Sequence, residues 1–150
     1  GYDEYASDLL DYDTTDYTYL HDTEGLIKVF EYYTSTTATI SVIGGADGYL
    51  ESVSIQKGES GTAIPQSLTT YIAATNGPMT NYLPAEVTSY TSTNGTGALT
   101  TSYEYTFYSS TLRVESIETT TPAGYVSTVF YDTYGNAVWV KDEEGYLHFA

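Results

Sequence analysis

Four times this chain runs an acidic residue or a tyrosine into a glycine and then directly into strand-forming residues. The four are Glu24-Gly25-Leu26-Ile27, Asp47-Gly48-Tyr49-Leu50, Tyr134-Gly135-Asn136-Ala137-Val138 and Glu144-Gly145-Tyr146-Leu147. Glycine tolerates the left-handed backbone that a tight reversal requires, so each site reads as a turn followed by a return strand. A chain punctuated in this way is committed to hairpins. The composition agrees: eighteen Tyr, many Thr and Ser, thirteen Gly and one Met favour strands and turns over helix. The expected fold is all-β, with antiparallel hairpins stacked in a sheet or sandwich and little or no helix. A helix is plausible only over Asp3 to Leu10, where Ala6, Leu9 and Leu10 could share a side.

Strand signals place the arms. Tyr17 to His21 and Leu26 to Tyr33 read as one hairpin, and Thr36 to Ile43 as a strand ending at Gly44-Gly45. Tyr49 to Gln56 and Gln66 to Ala73 follow as strands. Asn94-Gly95-Thr96-Gly97 joins two long β-rich arms between Glu86 and Thr120. Within the second arm Tyr103, Tyr105 and Phe107 share a face, and Leu112, Val114 and Ser116 are expected to share another. Val126 to Tyr131 and Ala137 to Lys141 are the last pair of arms.

At 150 residues the chain is a single domain, and four Lys+Arg against twenty Asp+Glu give a net charge of −16. Nucleic acid is excluded as a partner, because binding it needs basic groups to displace counterions, and so is docking on an anionic membrane. Without cysteine there is neither disulfide nor thiolate chemistry. No apolar run approaches the length that spans a bilayer, so membrane insertion is not expected. The chain opens on Gly1 with no signal segment, and reads as a processed protein, a fragment or one unit of something longer.

Tyr131-Asp132-Thr133-Tyr134-Gly135 and His21-Asp22-Thr23-Glu24-Gly25 both read aromatic-Asp-x-x-Gly, and Tyr2-Asp3-Glu4-Tyr5-Ala6 matches except that Ala6 replaces the glycine. An aspartate at the first corner can accept a backbone N–H two residues on and so close the turn. If the two ends were joined, these motifs would recur at steps of about 20 residues, the mark of stacked hairpins in a repeat array. The motifs, together with Lys141-Asp142-Glu143-Glu144-Gly145-Tyr146-Leu147, resemble the YD-repeat (Rhs-type) family of large bacterial surface and secreted proteins. Val129 stands where that family has its first tyrosine, and Ile43 to Pro122 carries no copy. The resemblance implies a spiralling β-sheet that scaffolds or encapsulates and does not catalyse.

Catalysis finds little support in the residues. Paired acids suggest a glycosidase, but no single acid stands out, and His21 and His148 have no metal-binding spacing. No Gly-x-Ser-x-Gly elbow is present. Asp11, Asp13 and Asp16 alternate like the start of a calcium loop but lack its glycine and terminal glutamate, so Ca²⁺ is the one cofactor to consider. Asn94-Gly95-Thr96 is a glycosylation sequon at a hairpin tip, and Trp139 between Val138 and Val140 is a candidate sugar platform. The leading expectation is a non-enzymatic structural unit, at the cell surface or outside the cell, that assembles end to end with copies of itself into a fibre or stalk and carries glycans. The alternatives are a carbohydrate-binding adhesin module and a piece of a toxin-encapsulating shell.

Overall fold

The computed structural model describes residues 10–13, 17–20 and 25–150. Among these the chain is all-β and contains no helix. Strands β1 (Leu10–Asp13) and β2 (Tyr17–Leu20) form a two-stranded hairpin. The remaining nine strands form one antiparallel sheet: β3 (Leu26–Tyr32), β4 (Leu50–Lys57), β5 (Ile64–Asn76), β6 (Met79–Tyr90), β7 (Ala98–Phe107), β8 (Val114–Thr120), β9 (Val126–Tyr131), β10 (Ala137–Lys141) and β11 (Leu147–Phe149). Their order in space is their order in sequence, an uninterrupted meander with β3 and β11 at its two edges. Of the two expected arrangements, the chain takes the sheet.

The turns explain the topology. Ser92–Thr96, Thr121–Tyr125, Asp132–Asn136 and Asp142–Tyr146 share one geometry: the first residue's N–H donates to the fifth residue's carbonyl, and the fourth residue, a glycine, donates back to the first. The glycines carry φ of 76°, 85°, 90° and 90°. This is the three-residue hairpin loop, a type I turn closed by a left-handed glycine, with Ser, Thr or Asp at its corner and Pro122 at the position that suits proline. Gly48 is also left-handed, at φ 78°, so the Gly48, Gly135 and Gly145 sites turn as expected; Gly25 has φ 75°, and residues 21–24 before it lie outside the described residues.

Cross-strand register divides the sheet into two unlike faces. Tyr105, Ile117, Val129 and Val140 lie in one row across β7 to β10, with Tyr103 and Thr119 beside them. One residue along, Thr106, Ser116, Phe130, Trp139 and Phe149 form a row on the opposite face, where Glu104 also stands across from Glu118. We call these the tyrosine face and the glutamate face. Tyr105 and Phe107 stack at 6.5 Å, as their shared face predicts.

Three local expectations are corrected. Tyr17–Leu20 pairs with β1 rather than with Leu26–Tyr32, whose partner is β4. The run from Thr36 to Ile43 is not a strand: it belongs to an irregular loop, residues 33–49, joining β3 to β4. Threonine hydroxyls hold that loop, with Gly45 N–H donating to Thr37 Oγ1 and Asp47 N–H to Thr36 Oγ1, while Gly44 and Tyr71 exchange both backbone bonds. It thereby caps the half of β5 that β4 leaves unpaired. Third, Glu115 is the extra residue of a bulge, so Val114 pairs with Phe107 and joins Ile117 instead of Ser116. Comparable bulges at Gln66 and Ala85 admit Pro65 and Pro84 into strands.

The core is small and built from tyrosine. Ala38, Ala46 and Tyr71 are buried together with Tyr33 and Tyr82 packed against them. Tyr71 meets Tyr33 and Tyr49 edge-on at 6.2 and 5.2 Å, and Tyr49 meets Tyr82 at 5.7 Å. Two hydroxyls anchor the group, Tyr33 to the Thr69 carbonyl and Tyr71 to the Leu50 carbonyl. Among the described residues no large side chain is fully buried.

Candidate functional site

The clearest concavity lies at the C-terminal side of the sheet. Arg113, Val114, Ile117, Tyr131 and the loop Asp132–Gly135 line a cleft of about 490 Å³, within the size range of small-ligand pockets. Arg113, the single arginine of the chain, donates from Nη1 to the Thr133 carbonyl at 2.6 Å, and Tyr108 donates its hydroxyl to the Tyr131 carbonyl at 2.6 Å. These two bonds tie the β7–β8 connection to the β9–β10 loop and fix both walls. Along the tyrosine face the cleft continues into a trough lined by Val87, Tyr103, Tyr105, Ile117 and Val129. Burial pushes the Tyr105 hydroxyl up to about 12, and it donates to the Pro84 carbonyl at 2.7 Å.

The acids near this cleft serve the turns. Asp132 Oδ1 accepts N–H bonds from Tyr134 at 2.8 Å and Asn136 at 2.9 Å, and Oδ2 accepts from Asn136 Nδ2. The Asn136 amide holds the carboxyl below the usual range, with the backbone N–H donors adding to the effect. Asp142 repeats the arrangement with Glu144 and Tyr146 N–H groups, and its other oxygen meets His148 Nε2 at 2.6 Å. That contact with His148 is the main reason its carboxyl is also lowered. Each carboxylate is engaged by the backbone N–H groups of its own loop and closes that turn. Among the described residues no group of three His, Cys, Asp or Glu could hold a metal ion.

The other residues singled out by sequence scatter. Asn94 is exposed at the β6–β7 tip, its Oδ1 accepting from the Thr96 hydroxyl at 2.7 Å and the Thr96 N–H at 3.2 Å. Trp139 is 43% exposed on the glutamate face and packs edge-on against Phe149 at 5.0 Å. It stands on the face opposite the trough. Tyr2, Asp3, His21 and Asp22 of the repeat motifs lie outside the described residues, as does Asp16; Asp11 and Asp13 fall in β1. Sequence reading passed over Arg113 and Tyr108. The available signal was the rarity of arginine in so acidic a chain, but the cleft itself forms only once β8 and the β9–β10 loop are side by side. Comparison with protein-family models, with curated proteins and with solved structures returned no match to this chain.

Proposed function

We propose that this protein is a structural unit of an extracellular fibre or surface stalk, joined end to end with other copies and built on the YD-repeat plan. The observation that carries the reading is the open meander: among the described residues its outer strands β3 and β11 pair on one side only. Unpaired strand backbone is a template for strand addition, and this chain has few lysines to guard it. The loop geometry supports the repeat plan. Loop corners at Thr121, Asp132 and Asp142 follow at steps of 11 and 10 residues, so two strands with their loops make the step of about 20 expected of the motifs. Glycans on Asn94 would stand clear of both edges at a hairpin tip.

The test is microscopy and sedimentation on the wild type and on Leu147→Pro. Tyr146 and Ala150 bond inward to β10, so by strand alternation the Leu147 N–H points outward, and proline there removes an edge donor. Filaments that shorten in the variant support the reading; a compact 16.4 kDa species at every concentration overturns it. A second reading, a carbohydrate-binding module, rests on the aromatic cleft at Tyr131 and the exposed Trp139–Phe149 pair. Glycan-array binding lost in Trp139→Ala or in Tyr131→Ala would favour it.

A further inference from the structure

Carboxylates are distributed over the sheet in a way that overall composition does not foretell. The nine strands hold six glutamates. Glu31, Glu86, Glu104 and Glu118 take paired positions on the glutamate face, and Glu51 and Glu115 are the extra residues of bulges. No paired position on the tyrosine face carries an acid; its charged groups are Lys28 and Lys57 on β3 and β4, Arg113 at the cleft, and His148 on β11, which meets the Asp142 carboxylate. In a chain of net charge −16, two copies repel at nearly every approach. The tyrosine face is the approach that presents the fewest carboxylates.

We propose that the tyrosine face is a lamination surface, covered by the same face of a second copy. Its chemistry suits a sheet-on-sheet interface: Tyr105, Phe107, Ile117 and Val129 are half-buried in the single sheet, while Phe30 and Leu99 remain 49% and 47% exposed. Tyrosine and phenylalanine are the side chains that interfaces enrich, and carboxylates are those they exclude from their centres. The area is sufficient. Outside the corner where the β3–β4 loop packs on Tyr71 and Tyr82, about 60 strand residues at ~3.4 Å each and inter-strand spacings of ~4.8 Å give a face of roughly 950 Å² per copy. A stable interface buries about 800 Å² per partner. Two such faces would pack about 10 Å apart, making the two-layer core that one sheet lacks.

This contact is independent of the end-to-end pairing, since face and edge use different groups, and the experiment keeps them apart. In the Leu147→Pro background, where the edge donor is removed, sedimentation equilibrium should still return twice the 16.4 kDa chain mass. Adding Leu99→Glu, which sets a carboxylate on the tyrosine face, should halve that mass with the β-sheet circular dichroism retained. Thr100→Glu, the next residue and on the opposite face, should leave the dimer intact. If Leu99→Glu fails to fold, Thr101→Glu on the tyrosine face makes the same test. A monomer in the edge-blocked parent at ~100 µM overturns the proposal, as does a dimer that tolerates both acids. Persistence of edge-dependent filaments in Leu99→Glu would leave the fibre reading standing and this one lost.

Discussion

Gly45 lies under the ring of Tyr33, and the substitution Gly45→Ala tests whether the tyrosine cluster is the core that holds the sheet. A Cβ added at Gly45 would come within 2.7 Å of Tyr33 Cε1 and 2.8 Å of Cγ, and closer still to Cδ1. The ring cannot simply yield. It meets Tyr71 edge-on at 6.2 Å, and its hydroxyl is fixed to the Thr69 carbonyl at 3.0 Å. Overpacking of this kind costs about 1–3 kcal/mol, and displacing the hydroxyl from its acceptor adds about 1 kcal/mol. The expected loss is therefore about 2–4 kcal/mol, which for a chain of this size lowers the melting temperature by roughly 5–15 °C. Urea melts followed by tyrosine fluorescence give the free energy directly. The decisive comparison is a double-mutant cycle with Tyr33→Val, which removes the ring and its hydroxyl. In that background Gly45→Ala should cost less than about 0.5 kcal/mol, because the added methyl then enters space the ring has left. An undiminished cost would refute the ring contact as cause, and a wild-type-like melt for the single variant would refute the core assignment itself.

Thr70 Oγ1 is a buried hydroxyl without a partner among the described residues, so Thr70→Val should be neutral or raise stability by about 1 kcal/mol in the same melts. Asp132→Ala removes the acceptor for the Tyr134 and Asn136 N–H groups and should speed amide exchange at both, with Asp132→Asn intermediate. Because the Asp132 and Asp142 carboxyls are lowered in the fold, the stability they confer is present above the unfolded value of ~3.9 and is lost as pH falls through their folded values. Melting temperatures measured downward from pH 5 should drop, and less steeply in Asp132→Asn. At the alkaline end the sign reverses: Tyr105 titrates at about 12 in the fold against ~10 unfolded, so its contribution holds below pH ~10 and disappears by about 12. Tyrosinate absorbance should show a late-titrating class that shrinks in Tyr105→Phe.

What could be read from sequence is what the chain decides locally. A left-handed glycine behind an Asp or Thr corner needs no distant partner, and the arms Val126–Tyr131 and Ala137–Lys141 lie where their alternation placed them. Propensity failed where pairing decides. Thr36 to Ile43 has strand-forming residues, yet its hydroxyls find backbone donors within the loop, and the loop meets the β5 edge at Thr39 and Gly44 without forming a ladder. Glu115 looks like an ordinary strand residue, and only the register of β7 against β8 makes it a bulge and turns Val114 to the other face. The cleft behind Arg113 and the face without paired acids were hidden for the same reason, since each is assembled from residues on three or more strands.

Among the described residues each strand of the large sheet pairs only with its neighbours in sequence, so its stability is a chain of nearest-neighbour terms rather than one shared core. The tyrosine cluster reinforces the β3–β6 end. The far end has no counterpart: Leu147 and Phe149 on β11 are 62% and 79% exposed, and a three-residue strand holds them. A meander has no built-in stop, unlike a barrel whose last strand closes on its first, so the least stable strand is also the one with a free edge. Backbone pairing or lamination by another copy, as proposed, would therefore contribute most where the isolated chain contributes least. Assembly should protect β10 and β11 from amide exchange far more than β5 and β6, whose 13- and 12-residue pairing is already complete.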